Sequence, residues 1–126
     1  MKLLQVIASV ALLGSAALAH ALEVKPYSAE ALAAAEQAGQ PVAVHFHADW
    51  CPTCRAQVKT LQMLKEEKGL DVTVLTANYD SEKELKRRFN VRSQSTLVVL
   101  KGPKEVARLA GETSADGIRK ALKAAL

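Results

Sequence analysis

The sequence predicts an α/β fold: a mixed central sheet of about four strands with helices on both faces. Three observations carry this expectation. Helical and strand patterning alternate along the chain in the order helix, strand, helix, strand, helix, strand, strand, helix. Helix-length segments separate the early strands, which therefore need parallel crossover connections. A short Gly-Pro turn joins the last two strands and pairs them antiparallel, and helices must then cover both sheet faces.

Each element has its own warrant. Ser28 is a good N-cap for the Ala-rich segment Ala29 to Ala38, and Gly39 stops that helix before Gln40-Pro41. Val42 to His47 is a β-prone run bounded by Pro41 and Asp49, as expected of a buried central strand. From Pro52 to Lys68, Val58, Leu61 and Leu64 recur at helical spacing, Pro52 suits a first turn, and Gly69 closes the segment. Leu70 to Leu75 reads as a second strand ending near Asn78-Tyr79-Asp80. Ser81 can cap a short helix with Leu85 and Phe89 on one face and Glu82, Lys83, Glu84, Lys86 and Arg87 in solvent. Thr96 to Leu100 is a buried strand, and the turn Lys101-Gly102-Pro103-Lys104 leads into its hairpin partner, Glu105 to Leu109. After Gly111, Ser114 caps a closing helix marked by Ile118 and Leu122.

Composition excludes several classes. Of 126 residues, 49% are hydrophobic and 24% charged, which rules out collagen, coiled coil and a disordered tail. The net charge of +4 is spread among interspersed acids and bases, without the basic run or interleaved aromatics of a nucleic-acid surface. No nucleic-acid partner is expected, and a monomer is the expectation for so small a domain.

The first residues read as a leader. Met1-Lys2 supplies a positive start, and Leu3 to Leu18 is apolar or small except for Gln5, Ser9 and Ser15. The run is at or under the roughly 18 to 20 apolar residues that a membrane span needs. Cleavage is expected near Ala19 or Ala21, which divides the chain into a signal peptide at 1–21 and one domain at 22–126. The mature protein is then periplasmic or secreted, with no stable membrane span. Its two cysteines would work in an oxidising compartment, yet a pair so closely spaced is a poor staple because its loop removes little unfolded-state entropy. That points to chemistry.

The chemical motif is Trp50-Cys51-Pro52-Thr53-Cys54, placed where a buried strand gives way to a helix. The free amides and positive dipole end of that helix stabilise a thiolate at Cys51 and make it the nucleophile at neutral pH. Cys54, three residues on, shares the helical face and can attack the mixed disulfide that Cys51 forms, which releases the partner. A second use of the same groups is a Cu(I)- or Zn-binding module built from Cys51, Cys54 and a nearby histidine, His45 or His47.

Val42 to Cys54, Asn78-Tyr79-Asp80, the Val91 to Leu100 region and Gly111 resemble the thioredoxin superfamily, and the leader adds likeness to an exported bacterial member. The resemblance implies a thioredoxin-like fold and a thiol-disulfide oxidoreductase with Cys51 attacking, Cys54 resolving and Trp50 packing beside them. It implies no cofactor beyond the redox-active Cys51-Cys54 disulfide, protein thiols and disulfides as substrates, and a membrane-bound redox partner. Reduction is the favoured direction, since the domain lacks any inserted helical substrate-binding segment.

The chain departs from the family pattern at three places. Ser95, followed by Thr96 in the loop expected to dock substrate, stands where the family has a cis-proline. A cis bond before a non-proline residue costs about 2.5 to 4 kcal/mol, so a trans peptide is expected there. His45 replaces a buried acid, and Thr76 stands where a lysine often accompanies that acid. His45 is open to two readings, a proton relay to the resolving thiol or a satisfied core histidine. His47 either tunes the thiolate or fills the site of a common aromatic. Asp49 reads as loop polarity and Arg55 as a solvated first-turn side chain.

Overall fold

The computed structural model describes residues 21–126. The leader expected at 1–21 lies outside them apart from Ala21, which forms an antiparallel bridge with Lys68. The elements in chain order are β1 (Glu23–Pro26), α1 (Ala29–Gln37), β2 (Pro41–His47), α2 (Pro52–Leu64), β3 (Thr73–Asn78), α3 (Lys83–Arg88), β4 (Thr96–Lys101), β5 (Lys104–Ala110) and α4 (Ala115–Lys123).

The sheet has five strands, ordered β1-β3-β2-β4-β5, where the sequence predicts about four. The additional strand is β1, which runs parallel to β3 with Val24 opposite Val74. It is short and mostly exposed, so no alternation of apolar side chains announces it. An edge position also tolerates Pro26, which would weaken a central strand. The remaining pairings follow the expected order: β2 is parallel to β3, and β2-β4 and β4-β5 are antiparallel.

Side-chain parity along the strands divides the interior into two clusters. Val42, Val44 and Phe46 of β2 point to one face, where Leu32 of α1 and Leu85 of α3 cover them. Ala43 of β2 and Leu97 and Val99 of β4 point to the other, against Leu61 and Leu64 of α2 and Ile118 and Leu122 of α4. The same parity turns His45 toward α2. At about 2–5 kcal/mol for each Leu-to-Ala truncation, these two clusters hold the fold together.

Local signals set most of the boundaries. The Ser28 side chain accepts from Ala31 N–H, and Ser114 accepts from Gly117 N–H. Several boundaries differ from the sequence reading by a residue or more, and those around α2, β3 and α3 have a clear local cause. α2 ends at Leu64, after which a turn leads to Gly69 at φ +88°. β3 starts at Thr73 rather than Leu70, although Leu70 and Val72 are buried ahead of it. Ser81 does not cap α3: Glu82 occupies the cap position without a side-chain bond, and the Ser81 carbonyl accepts from Lys83 N–H.

The end of the sheet formed by the start of β2 and the β4-β5 turn is closed by two glycines. Gly102 has φ +57°, and a Cβ there would lie 3.1 Å from Gly39 Cα and 3.3 Å from Glu36 O. A Cβ at Gly69 would meet nothing within 4 Å. Both positions are left-handed, so alanine strains both, but only at Gly102 must backbone also move. We expect Gly69→Ala to cost about 1 kcal/mol and Gly102→Ala about 2 kcal/mol or more, measured by urea unfolding with an unchanged m-value.

Candidate active site

At the C-terminal end of β2 the chain turns through Ala48 to Trp50 and enters α2 at Pro52, whose missing N–H is not needed in a first turn. Cys51 is the N-cap, and its Sγ accepts from Cys54 N–H at 3.2 Å. A sulfur thus fills the place usually held by a Ser or Asp oxygen. Both cysteines are free and buried, with Cys51 3% exposed and Cys54 fully covered. With Ala48 they form a small cluster apart from the two that hold the sheet.

Burial pushes the Cys51 thiol up, but hydrogen bonds from Ser95, from Cys54 and from the Cys54 and Thr53 amides outweigh it and lower the pKa to about 7. Burial also pushes the Cys54 thiol up, and there it prevails over the bond to Ser95, so Cys54 titrates above its ordinary value. One sulfur is a thiolate near neutrality while its neighbour remains a thiol. That asymmetry is what sequential disulfide exchange requires.

Ser95 touches both sulfurs, its Oγ lying 3.3 Å from Cys51 Sγ and 3.0 Å from Cys54 Sγ. Its backbone is at φ +64°, and no peptide among the described residues is cis, as expected at this position. Three bonds hold the strained residue: Ser95 N–H donates to Phe46 O at 2.9 Å, and Ser95 O accepts from Gly111 N–H at 3.0 Å and Gln57 Nε2 at 2.9 Å. Thr96 is turned away, donating from Oγ1 to Ser93 O and opening β4.

Gln57 is 2% exposed and was not anticipated from the sequence, though a polar side chain three residues after Cys54 on the buried stripe of α2 is a visible irregularity. Its Nε2 donates to the carbonyls of Ser95 and Glu112, which leaves Oε1 to accept from His45 Nε2 at 2.8 Å. His45 therefore carries its proton on Nε2, and its buried Nδ1 has no partner. Burial lowers the His45 pKa to about 4, opposed by the bond to Gln57. The contact joins His45 to Gln57, and through Gln57 to the Ser95 carbonyl. Thr76 lies beside His45 in the β2-β3 register.

Trp50 is 58% exposed, and its Nε1 donates to Asp80 Oδ2 at 2.8 Å, another partner that local pattern did not reveal. His47 Nε2 donates to Asp49 Oδ1 at 2.9 Å, and Arg55 donates to Asp49 O at 3.0 Å. His47, Asp49, Trp50, Asn78 and Asp80 line a cleft of about 320 Å³. Among the described residues no three His, Cys, Asp or Glu side chains come together as a metal site. In this arrangement His45 is bonded to Gln57, His47 to Asp49, and both sulfurs to Ser95.

A strand-to-helix turn that presents a capped thiolate and a second thiol one helical turn later defines a thiol-disulfide exchange protein. Comparison with known proteins makes the assignment specific. The thioredoxin family model matches residues 23–124, and the chain belongs to the thioredoxin family. A thioredoxin of Alicyclobacillus acidocaldarius is 36% identical over 75 residues, 60% of this chain and 71% of that protein. A thioredoxin of Mycobacterium tuberculosis is 35% identical over 72 residues, and the match spans 62% of its length and 57% of this chain. The crystal structure of Trxlp from Edwardsiella tarda superposes with a TM-score of 0.74 at 36% identity, covering 79% of this chain and 98% of that one. The protein is a thiol-disulfide oxidoreductase of this family.

The buried His45 gives the fold an acid sensitivity. Its folded pKa lies below its unfolded value, so the unfolded chain binds more protons between pH 6.5 and about 4. The contribution is present above pH 6.5 and is lost as pH falls toward 4. We expect the wild-type protein to lose about 3 kcal/mol more than His45→Gln across that window, measured by denaturant unfolding at each pH.

Proposed function

We propose that the protein is an exported reductant of protein disulfides in the bacterial envelope, with Cys51 attacking and Cys54 resolving. The observation that carries the roles is the Cys51 sulfur at the N-cap of α2, a thiolate near pH 7 beside a thiol of raised pKa. Cys51 attacks one sulfur of the target disulfide and expels the other as a thiolate. Cys54 then attacks Cys51 Sγ, the internal disulfide forms, and the second target sulfur leaves with the proton that Cys54 gives up. The target gains two electrons and the dithiol loses two. No cofactor beyond this Cys51-Cys54 couple is needed.

The reductive direction is supported by the moderate thiolate. A strong oxidant owes its potential to a much more stabilised thiolate, with a pKa near about 3.5. Export is supported by the apolar run Leu3 to Leu18 behind Lys2 and the small-residue frames ending at Ala19 and Ala21. In an oxidising compartment the reduced pair must be regenerated by a membrane-bound donor. Among the described residues no helix is long and apolar enough to cross a membrane.

The test is to equilibrate residues 22–126 with glutathione or dithiothreitol and count thiols by mass. A two-electron transition near about −200 to −270 mV is expected, and one near about −120 mV would make the protein an oxidant. Cys51→Ser should abolish exchange, whereas Cys54→Ser should accumulate a mixed disulfide with its target that gel electrophoresis without reductant detects. Turnover retained by Cys51→Ser would sink the assignment of the nucleophile. In cells, the exported form should begin at His20 or Leu22 by mass spectrometry of the periplasmic fraction.

A further inference from the structure

Ser95 presents a single hydroxyl proton to two sulfurs that carry charge at different stages of the reaction. Its heavy atoms cannot follow the charge, because Phe46, Gln57 and Gly111 fix its backbone on both sides and the residue is 4% exposed. The hydroxyl hydrogen can, since rotation about the Cβ–Oγ bond moves it between acceptors while the oxygen stays in place. Among the described residues the other hydrogen-bond partners of the sulfurs are each other and the backbone amides of Ala48, Thr53 and Cys54, and the amides cannot turn. His45 faces the site only through Gln57.

We propose that the Ser95 hydroxyl is a catalytic, shared hydrogen-bond donor that serves Cys51 and Cys54 in turn. This rests on the exchange reaction proposed above. In the free dithiol, Cys54 S–H donates to Ser95 Oγ, and Ser95 O–H donates to the Cys51 thiolate. When Cys51 forms its bond to a target sulfur, its charge leaves with the expelled thiolate. The Cys54 proton is then given up to the second departing sulfur, and Ser95 O–H turns to the charge developing on Cys54. Cys54 attacks Cys51 Sγ, the bond from Cys51 to the target breaks, and the internal disulfide forms. Ser95 keeps its own proton throughout, so the balance of protons and electrons is that of the exchange itself.

The placement also accounts for a backbone at φ +64° in a residue that is not glycine. Left-handed strain of this kind persists where surrounding structure over-determines it, and it clusters at functional sites. A family cis-proline has no hydroxyl to offer there.

The test compares Ser95→Ala with Ser95→Gly. Glycine accepts φ +64° without strain, so it separates loss of the hydroxyl from damage to the loop. The first readout is the pH dependence of Cys51 alkylation by iodoacetamide in the reduced protein, which requires no turnover. In both variants the midpoint should rise by about one pH unit, a loss of about fivefold in thiolate at pH 7, as expected for removal of a hydrogen bond to a charged group. The second readout is decay of a preformed mixed disulfide on Cys51, which should slow about tenfold in both. Unchanged midpoint and decay in Ser95→Gly would overturn the proposal, as would an effect confined to Ser95→Ala, which would assign it to the backbone. Cys51→Ser that still turns over would overturn the exchange reading instead, and the alkylation midpoint distinguishes the two failures.

Discussion

One buried amide fixes the geometry of the reactive end of the sheet. Gln57 reaches out from α2 to three different segments: His45 on β2, the Ser95 loop ahead of β4, and the Glu112 carbonyl ahead of α4. All three contacts are hydrogen bonds in an environment where an unsatisfied partner costs about 1–3 kcal/mol, so none can be given up cheaply. Through the Ser95 carbonyl the amide sets how far the loop stands from the helix, and hence where the Ser95 oxygen meets the sulfurs. The apolar clusters could not do this. They pack the two faces of the sheet, and the dithiol clusters apart from them with Ala48 alone.

The helix start makes a single amide serve two purposes. Cys54 N–H satisfies a helix end by bonding Cys51 Sγ, and the same bond stabilises negative charge on that sulfur. Structure and reactivity are therefore coupled at the first turn of α2: a charged Cys51 caps the helix well, and a Cys51 tied into a disulfide caps it poorly. The oxidised form gives up part of its helix cap, which favours return to the dithiol.

Residues with local consequences were legible in the sequence. Ser28, Ser114 and Gly69 act through their immediate neighbours, and the alternation on β2 and β4 follows from burial on both faces, so the topology could be read with one strand missing. β1 escaped because its pairing with β3 is settled by a segment about fifty residues away rather than by its own pattern. The two cysteines were legible because helix position alone gives them distinct environments. Gln57 was not, since the partners that justify a buried amide come from three distant segments. His45 was visible as an anomaly, but its partner was not, since Gln57 comes from the next helix. For Ser95 the departure was evident, but contact with both thiols depends on a left-handed backbone that the residues around it do not announce.

Pro52 is exposed, Thr53 is half-buried, and neither belongs to a cluster that stabilises the sheet. The dipeptide between the cysteines can therefore change without disturbing the packing that keeps the chain folded. Packing of the sheet and the surroundings of the sulfurs therefore rest on different residues. The Ser95 position lacks that freedom: any replacement there must suit a left-handed backbone and two sulfurs at once, so it is expected to diverge in rare, discrete steps.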